Sequence, residues 1–125
     1  MLKALFVLAL MVAQPALAAD TWWDTVKSYT VEKKNDAVAY GGKLVRGTDR
    51  QIKSLERRAA KATGEGKAQL DSDIQELKAK RATASRKLDE MGKATGAAWN
   101  EAKDGFADAY KDLKDATDRA VKKLK

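Results

Sequence analysis

The sequence predicts an all-α fold: an elongated antiparallel helical hairpin or coiled coil behind an N-terminal signal peptide. Three observations carry this. The only proline is Pro15, so nothing beyond it removes an amide donor from a helix. Apolar residues recur at heptad spacing in two stretches whose phase resets at a pair of glycines. The C-terminal segment repeats at eleven residues, close to three helical turns.

The leader comes first. Lys3 is the only charge before Asp20, Ala4 to Ala13 is an unbroken apolar run, Gln14-Pro15 breaks it, and Ala16-Leu17-Ala18 has a small-x-small form. These are the three regions of a secretory signal peptide. The run is ten residues long, against the ~20 that a bilayer-spanning helix needs. Residues 1–18 are therefore expected to be cleaved between Ala18 and Ala19, delivering residues 19–125 to the periplasm or the medium as a single helical domain.

The first arm is expected over about 21–62. Thr21 with Asp24 resembles a capping box. Trp22, Val26 and Tyr29 keep helical spacing, the pattern weakens over Val31–Val38, and Gly41-Gly42 reads as a kink or break. From there Val45, Thr48, Ile52, Leu55, Ala59 and Ala62 form a seam. After Thr63-Gly64-Glu65-Gly66 the seam resumes one place late, as Leu70, Ile74, Leu77, Arg81, Ala84, Leu88 and Met91. A reset at glycines reads as a helix–helix turn at 63–66, with a coiled-coil stutter as the alternative. The second arm is expected over about 67–124, with a kink at 92–97. Three shorter helices are the next arrangement.

If the chain reverses there, residues whose numbers sum to about 129 face each other. Ile52 then meets Leu77, Leu55 meets Ile74, Val45 meets Ala84, Val38 meets Met91, Tyr29 meets Trp99 and Trp23 meets Phe106. No aromatic lies between Tyr40 and Trp99, so the rings gather at the open end. A two-helix hairpin covers only one seam, which predicts a homodimer or a partner packed on it.

From Ala98 onward, Trp99, Tyr110 and Val121 are eleven apart, as are Lys103, Lys114 and Lys125. On a wheel, Trp99, Ala102, Phe106, Ala109, Tyr110, Leu113, Ala120, Val121 and Leu124 share one face, the acids Glu101, Asp104, Asp108, Asp112 and Asp115 the opposite one, and the three lysines one border. The face reads first as a bundle helix and second as a helix lying on a membrane, with lysine stems along acyl chains. Trp22, Trp23, Tyr29, Trp99, Phe106 and Tyr110, with Lys103, Lys114 and Lys125, are the expected contact surface.

The stretch Ala98 to Leu113, preceded by the Leu77–Met91 heptads, resembles small exported coiled-coil proteins of bacteria, over Thr48 to Leu124. The resemblance implies an all-helical fold and no chemistry. The eleven-residue period is similar to that of apolipoprotein and late-embryogenesis-abundant helices, a likeness of class. Periplasmic chaperones with helical tentacles are a further comparison, but this chain is shorter and lacks a strand-forming body.

Composition narrows function. There is no cysteine and no histidine, which removes disulfides, the commonest general base and the commonest transition-metal ligand. Without Lys3 the remaining residues carry 24 basic and 18 acidic side chains, a net of +6. Export directs that charge toward lipid headgroups, envelope polymers and acidic proteins rather than nucleic acid. No serine has a histidine to activate it. The ladder Asp104, Asp108 and Asp112 supplies too few oxygens for a cation, and Gly64-Glu65-Gly66 lacks the context of a phosphate loop. Lys33-Lys34 and Arg57-Arg58 read as charge pairs on a polar face. Arg81, on the seam, either pairs with an acid across it or reaches to water, and the second is favoured. No cofactor and no enzyme activity are expected. The expected function is that of an exported interaction or structural protein of the periplasm or cell envelope, or, as the alternative, a stress-protective or chaperone-like protein shielding clients or membranes.

Overall fold

The computed structural model describes residues 21–123. The expected leader and cleavage point lie outside them, as do Leu124 and Lys125. The described residues are all-helical, with four packed helices: α1 at 21–28, α2 at Lys34–Lys61, α3 at Gly64–Lys93 and α4 at Trp99–Lys122. A short 3-10 turn at Val31–Lys33 precedes α2.

The two expected arms are each interrupted. The first breaks at Tyr29 and Thr30, where Thr30 takes an extended conformation (ψ 169°). Consecutive β-branched residues at 30 and 31 are weak helix formers, and the carbonyls released there find side-chain donors on α4. α1 consequently folds back. Trp22 meets Tyr110, Lys27 meets Asp104 and the Tyr29 carbonyl meets Trp99, an order that sets α1 antiparallel to α4.

Gly41-Gly42 is not a kink: α2 runs through both glycines without a break. Gly41 is buried because a ring lies on it. A Cβ at that position would fall 2.6 Å from Leu88 Cδ1 and 3.0 Å from Phe106 Cζ.

The α2–α3 reversal is tighter than the expected 63–66. Only Ala62 and Thr63 lie outside the helices, both extended. Gly64 has φ +64°, a conformation in which a side chain would be strained, while Glu65 and Gly66 already belong to α3. Lys67 Nζ reaches back to the Ala59 carbonyl (3.3 Å) and serves the end of α2. α2 and α3 then lie antiparallel, with Glu56 beside Lys78 and Asp49 beside Arg81.

The second arm does not kink at 92–97; it ends. Ala94 is extended, a turn follows, and α4 starts at Trp99 and returns along α3. Lys87 lies beside Gly105, Lys80 pairs with Asp112 and Asp73 with Lys123. Lys34 closes this corner by donating to the Ala94 carbonyl (3.1 Å). α4 thus covers the seam between α2 and α3.

The buried positions of α4 are Trp99, Lys103, Phe106, Ala107, Tyr110, Leu113, Ala116, Thr117 and Ala120. The dominant steps are 4-3-4-3-4-3, a heptad seam rather than an eleven-residue one. Two clusters fill the interior. Trp22, Val26, Val45, Ala84, Met91, Trp99, Phe106, Tyr110 and Leu113 are among those at the aromatic end. Ile52, Leu55, Ala59, Leu70, Ile74, Leu77, Ala116 and Ala120 fill the end near the α2–α3 turn.

Candidate functional site

The aromatic residues expected as a contact surface do come together, but as core. Trp22, Trp99, Phe106 and Tyr110 are buried, and Trp23 and Tyr29 are half-buried against them. Trp22 stands edge-on to Tyr110 (4.7 Å between ring centroids), and Phe106 stacks with Tyr110 (6.2 Å). Burial pushes the Tyr110 phenol above its ordinary value, a rise opposed by its hydrogen bond with Thr48. The rings converge because α1 and α4 both fold back over the start of α2. Trp22, Trp99, Phe106 and Tyr110 thereby become interior, while Trp23 and Tyr29 keep part of their surface exposed.

The lysine border also dissolves. Lys103 is 8% exposed. Its ammonium donates to the carbonyls of Lys27 (2.7 Å) and Tyr29 (3.0 Å), and Trp99 Nε1 donates to the same Tyr29 oxygen (2.9 Å). Lys103 is the C-terminal cap of α1, a cation on the carbonyls that a helix end leaves free. Lys114 is partly exposed and bound to Asp118 (2.8 Å), which raises its pKa through that hydrogen bond first. Lys125 lies outside the described residues.

Arg81 is corrected in the same way. It grips Asp49 of α2 with two bonds, Nε to Oδ1 at 2.8 Å and Nη2 to Oδ2 at 2.9 Å. The hydrogen bonds to Asp49 raise its pKa despite the opposing effect of burial. This two-pronged geometry fixes register between α2 and α3.

The acids of α4 are largely spent internally: Asp104 on Lys27, Asp112 on Lys80, Asp115 on Lys111 and Asp118 on Lys114. Among the described residues, no group of three or more acids is placed to hold a metal ion.

While Lys93, Arg119 and Lys122 are scattered single unpaired cations, the longest run of them lies on α2. This helix carries eight basic and three acidic residues, whereas α3 has seven and six and α4 five and six. Of the three acids, Asp49 and Glu56 are turned to Arg81 and Lys78 of α3. Lys43, Arg46, Arg50, Lys53, Arg57 and Lys61 follow one another at steps of three and four and are all exposed. At ~100° per residue they fall within an arc of about 80°, and at 1.5 Å per residue they extend about 27 Å. None has an ion pair within the described residues. The stripe was missed in the sequence because the basic pairs were read as neighbours in the chain. The 3-4 spacing applied to cations rather than to apolar residues would have found it.

No helix of the described residues is long and apolar enough to cross a membrane. Comparison with protein-family models, with curated proteins and with solved structures finds no match.

Proposed function

We propose that the chain is an exported, non-enzymatic helical binding protein of the periplasm or cell envelope, acting through the outer face of α2. The observation that carries this reading is the row of six exposed, unpaired cations on a bundle whose other charges are nearly balanced. A row of like charges on one helix destabilises it slightly, and its six members lie on one face, whereas most acids of α4 are paired with lysines; a concentrated, unpaired row of this kind suits a binding surface. The aromatic end, first expected as the contact surface, has no part in it. A chaperone-like role would need exposed apolar surface for clients, and the rings that would supply it are engaged in the core.

The working unit we propose is one chain. Dimerisation was expected because a two-helix hairpin leaves a seam open, and α4 now covers that seam. Sedimentation equilibrium is expected to give a monomer at micromolar concentration.

The test of the reading as a whole is fractionation followed by sequencing of the mature N-terminus and crosslinking in intact cells. A product starting at Ala19, recovered outside the cytosol and crosslinked through probes at positions 46 or 53 but not at 108, supports it. Full-length protein retained in the cytosol contradicts it.

A further inference from the structure

We infer that the α2 stripe docks the protein flat against an anionic phospholipid surface, reading headgroup phosphates without entering the hydrocarbon. The inference rests on the binding role proposed above and names its partner.

The shape of the stripe favours a plane. Lys43, Arg46, Arg50, Lys53, Arg57 and Lys61 stand on the outer face of a single uninterrupted helix, with Arg50 and Lys53 also bordering the open depressions between α2 and α4 and between α2 and α3. A convex row meets a plane along its whole length, whereas single-stranded nucleic acid is held in a charged groove with stacking platforms; duplex DNA, whose major groove admits a helix, is disfavoured by the proposed export and serves as a competitor in the experiment. There is no aromatic side chain anywhere on α2 beyond Tyr40, which is half-buried toward Tyr29. The residues interleaved on this side of the helix, Ala39, Gly42, Gly47, Ser54 and Ala60, are too small to insert between acyl chains. The helix whose apolar face seemed suited to lipid, α4, has that face buried against α2 and α3. Attachment is therefore electrostatic alone, without the apolar insertion of surface-lying amphipathic helices.

Two consequences follow from electrostatics. A cation close to an anionic leaflet contributes about 1 kcal/mol, or roughly a factor of five in affinity, so losing three removes about a hundredfold. The attraction also decays within a Debye length, ~10 Å at 0.1 M salt and ~3 Å at 1 M, so binding is reversed by salt. Because nothing inserts, helicity does not change on binding.

The experiment is co-sedimentation of residues 19–125 with vesicles of phosphatidylcholine alone and of phosphatidylcholine mixed equally with phosphatidylglycerol. Duplex DNA and inorganic polyphosphate serve as competitors at matched phosphate concentration. Binding to the mixed vesicles only, abolished near 1 M salt with an unchanged circular dichroism spectrum, is the expected result. Combined Arg50→Gln, Lys53→Gln and Arg57→Gln substitutions should weaken it about a hundredfold. The matched set Lys93→Gln, Arg119→Gln and Lys122→Gln, which removes the same charge elsewhere, should weaken it only a few-fold. Thermal melts of both sets establish that each is folded. Equal weakening by the two sets would overturn the stripe, since net charge alone would then account for binding. Tighter binding to DNA or polyphosphate than to vesicles would overturn the lipid assignment while leaving a binding role for α2. No binding to vesicles or to either competitor would overturn the lipid assignment, and the absence, in addition, of any crosslink through positions 46 or 53 in intact cells would overturn the binding role of α2.

Discussion

Replacing Gly41 by alanine should destabilise the bundle, although the same change one residue later should stabilise it. Two terms oppose each other at position 41. Alanine in a helix interior is favoured over glycine by about 1 kcal/mol. Against that, the new Cβ would lie 2.6 Å from Leu88 Cδ1 and 3.0 and 3.1 Å from Phe106 Cζ and Cε2. Leu88 is half-buried and has room to turn, but Phe106 is 0% exposed and is stacked on Tyr110. Its ring moves only by displacing α4. Overpacking of this kind costs about 1–3 kcal/mol, which leaves a net loss of about 1 kcal/mol. At Gly42 the nearest atom is the flexible Arg46 guanidinium, 3.3 Å away, so Gly42→Ala should keep nearly the whole propensity gain. Urea unfolding followed by fluorescence of Trp22 and Trp99 measures both. The two variants should differ by about 2 kcal/mol, or roughly 8–16 °C in Tm for a domain of this size. A Gly41→Ala protein as stable as Gly42→Ala would refute the packing of Phe106 on the α2 backbone.

Three further outcomes are expected. Lys103→Ala leaves the carbonyls of Lys27 and Tyr29 without their shared donor and should cost about 2–3 kcal/mol. Hydrogen exchange should then rise in 21–28 before it rises in α2 or α3, and uniform loss across the chain would contradict the capping role. Gly64→Ala places a side chain at φ +64° and should cost about 1–2 kcal/mol, whereas Gly66→Ala, inside α3 with nothing near it, should be neutral or stabilising in the same melt. Stability should fall as pH rises from about 10 upward: Tyr110 and Lys114 both titrate above their ordinary 10.0 and 10.5 when folded, so the folded state holds more protons there than the unfolded one. Their contribution is complete below those ordinary values and is lost as pH passes through the raised ones. Tyr110→Phe should reduce the fall in Tm between pH 9 and 11, and a fall identical to that of the parent would exclude the tyrosine as a source.

The two seams of α2 and α3 were legible because their buried positions, from Val45 to Ala59 and from Leu70 to Met91, are apolar at almost every heptad site. The return of α4 was not. Its seam includes Lys103 and Thr117, which pattern reading assigns to water. Thr117 in fact satisfies its hydroxyl on the Leu113 carbonyl (2.8 Å), and Lys103 satisfies its ammonium on the end of α1. With those two positions counted as polar, the remaining apolar residues show an eleven-residue period, which fits a bundle helix first and a lipid-facing one second and does not specify the neighbours it packs on. The break at Tyr29 was hidden for a related reason: its freed carbonyl is answered by Trp99 and Lys103, 70 and 74 residues away. The candidate site was legible in principle, since the spacing of Lys43 through Lys61 is written in the chain. Its significance was not, because which cations remain unpaired depends on the neighbours that claim Asp49 and Glu56.

The chain alone therefore determined helical character, a change of phase at 63–66 and the identity of two apolar seams, because each depends on residue types and spacings within a few turns. Tertiary structure decided that the seams close within one molecule, that the rings become interior and that one helix face stays charged and free. Those outcomes are set by donors and acids that reach across helices, and such partners have no fixed distance along a sequence.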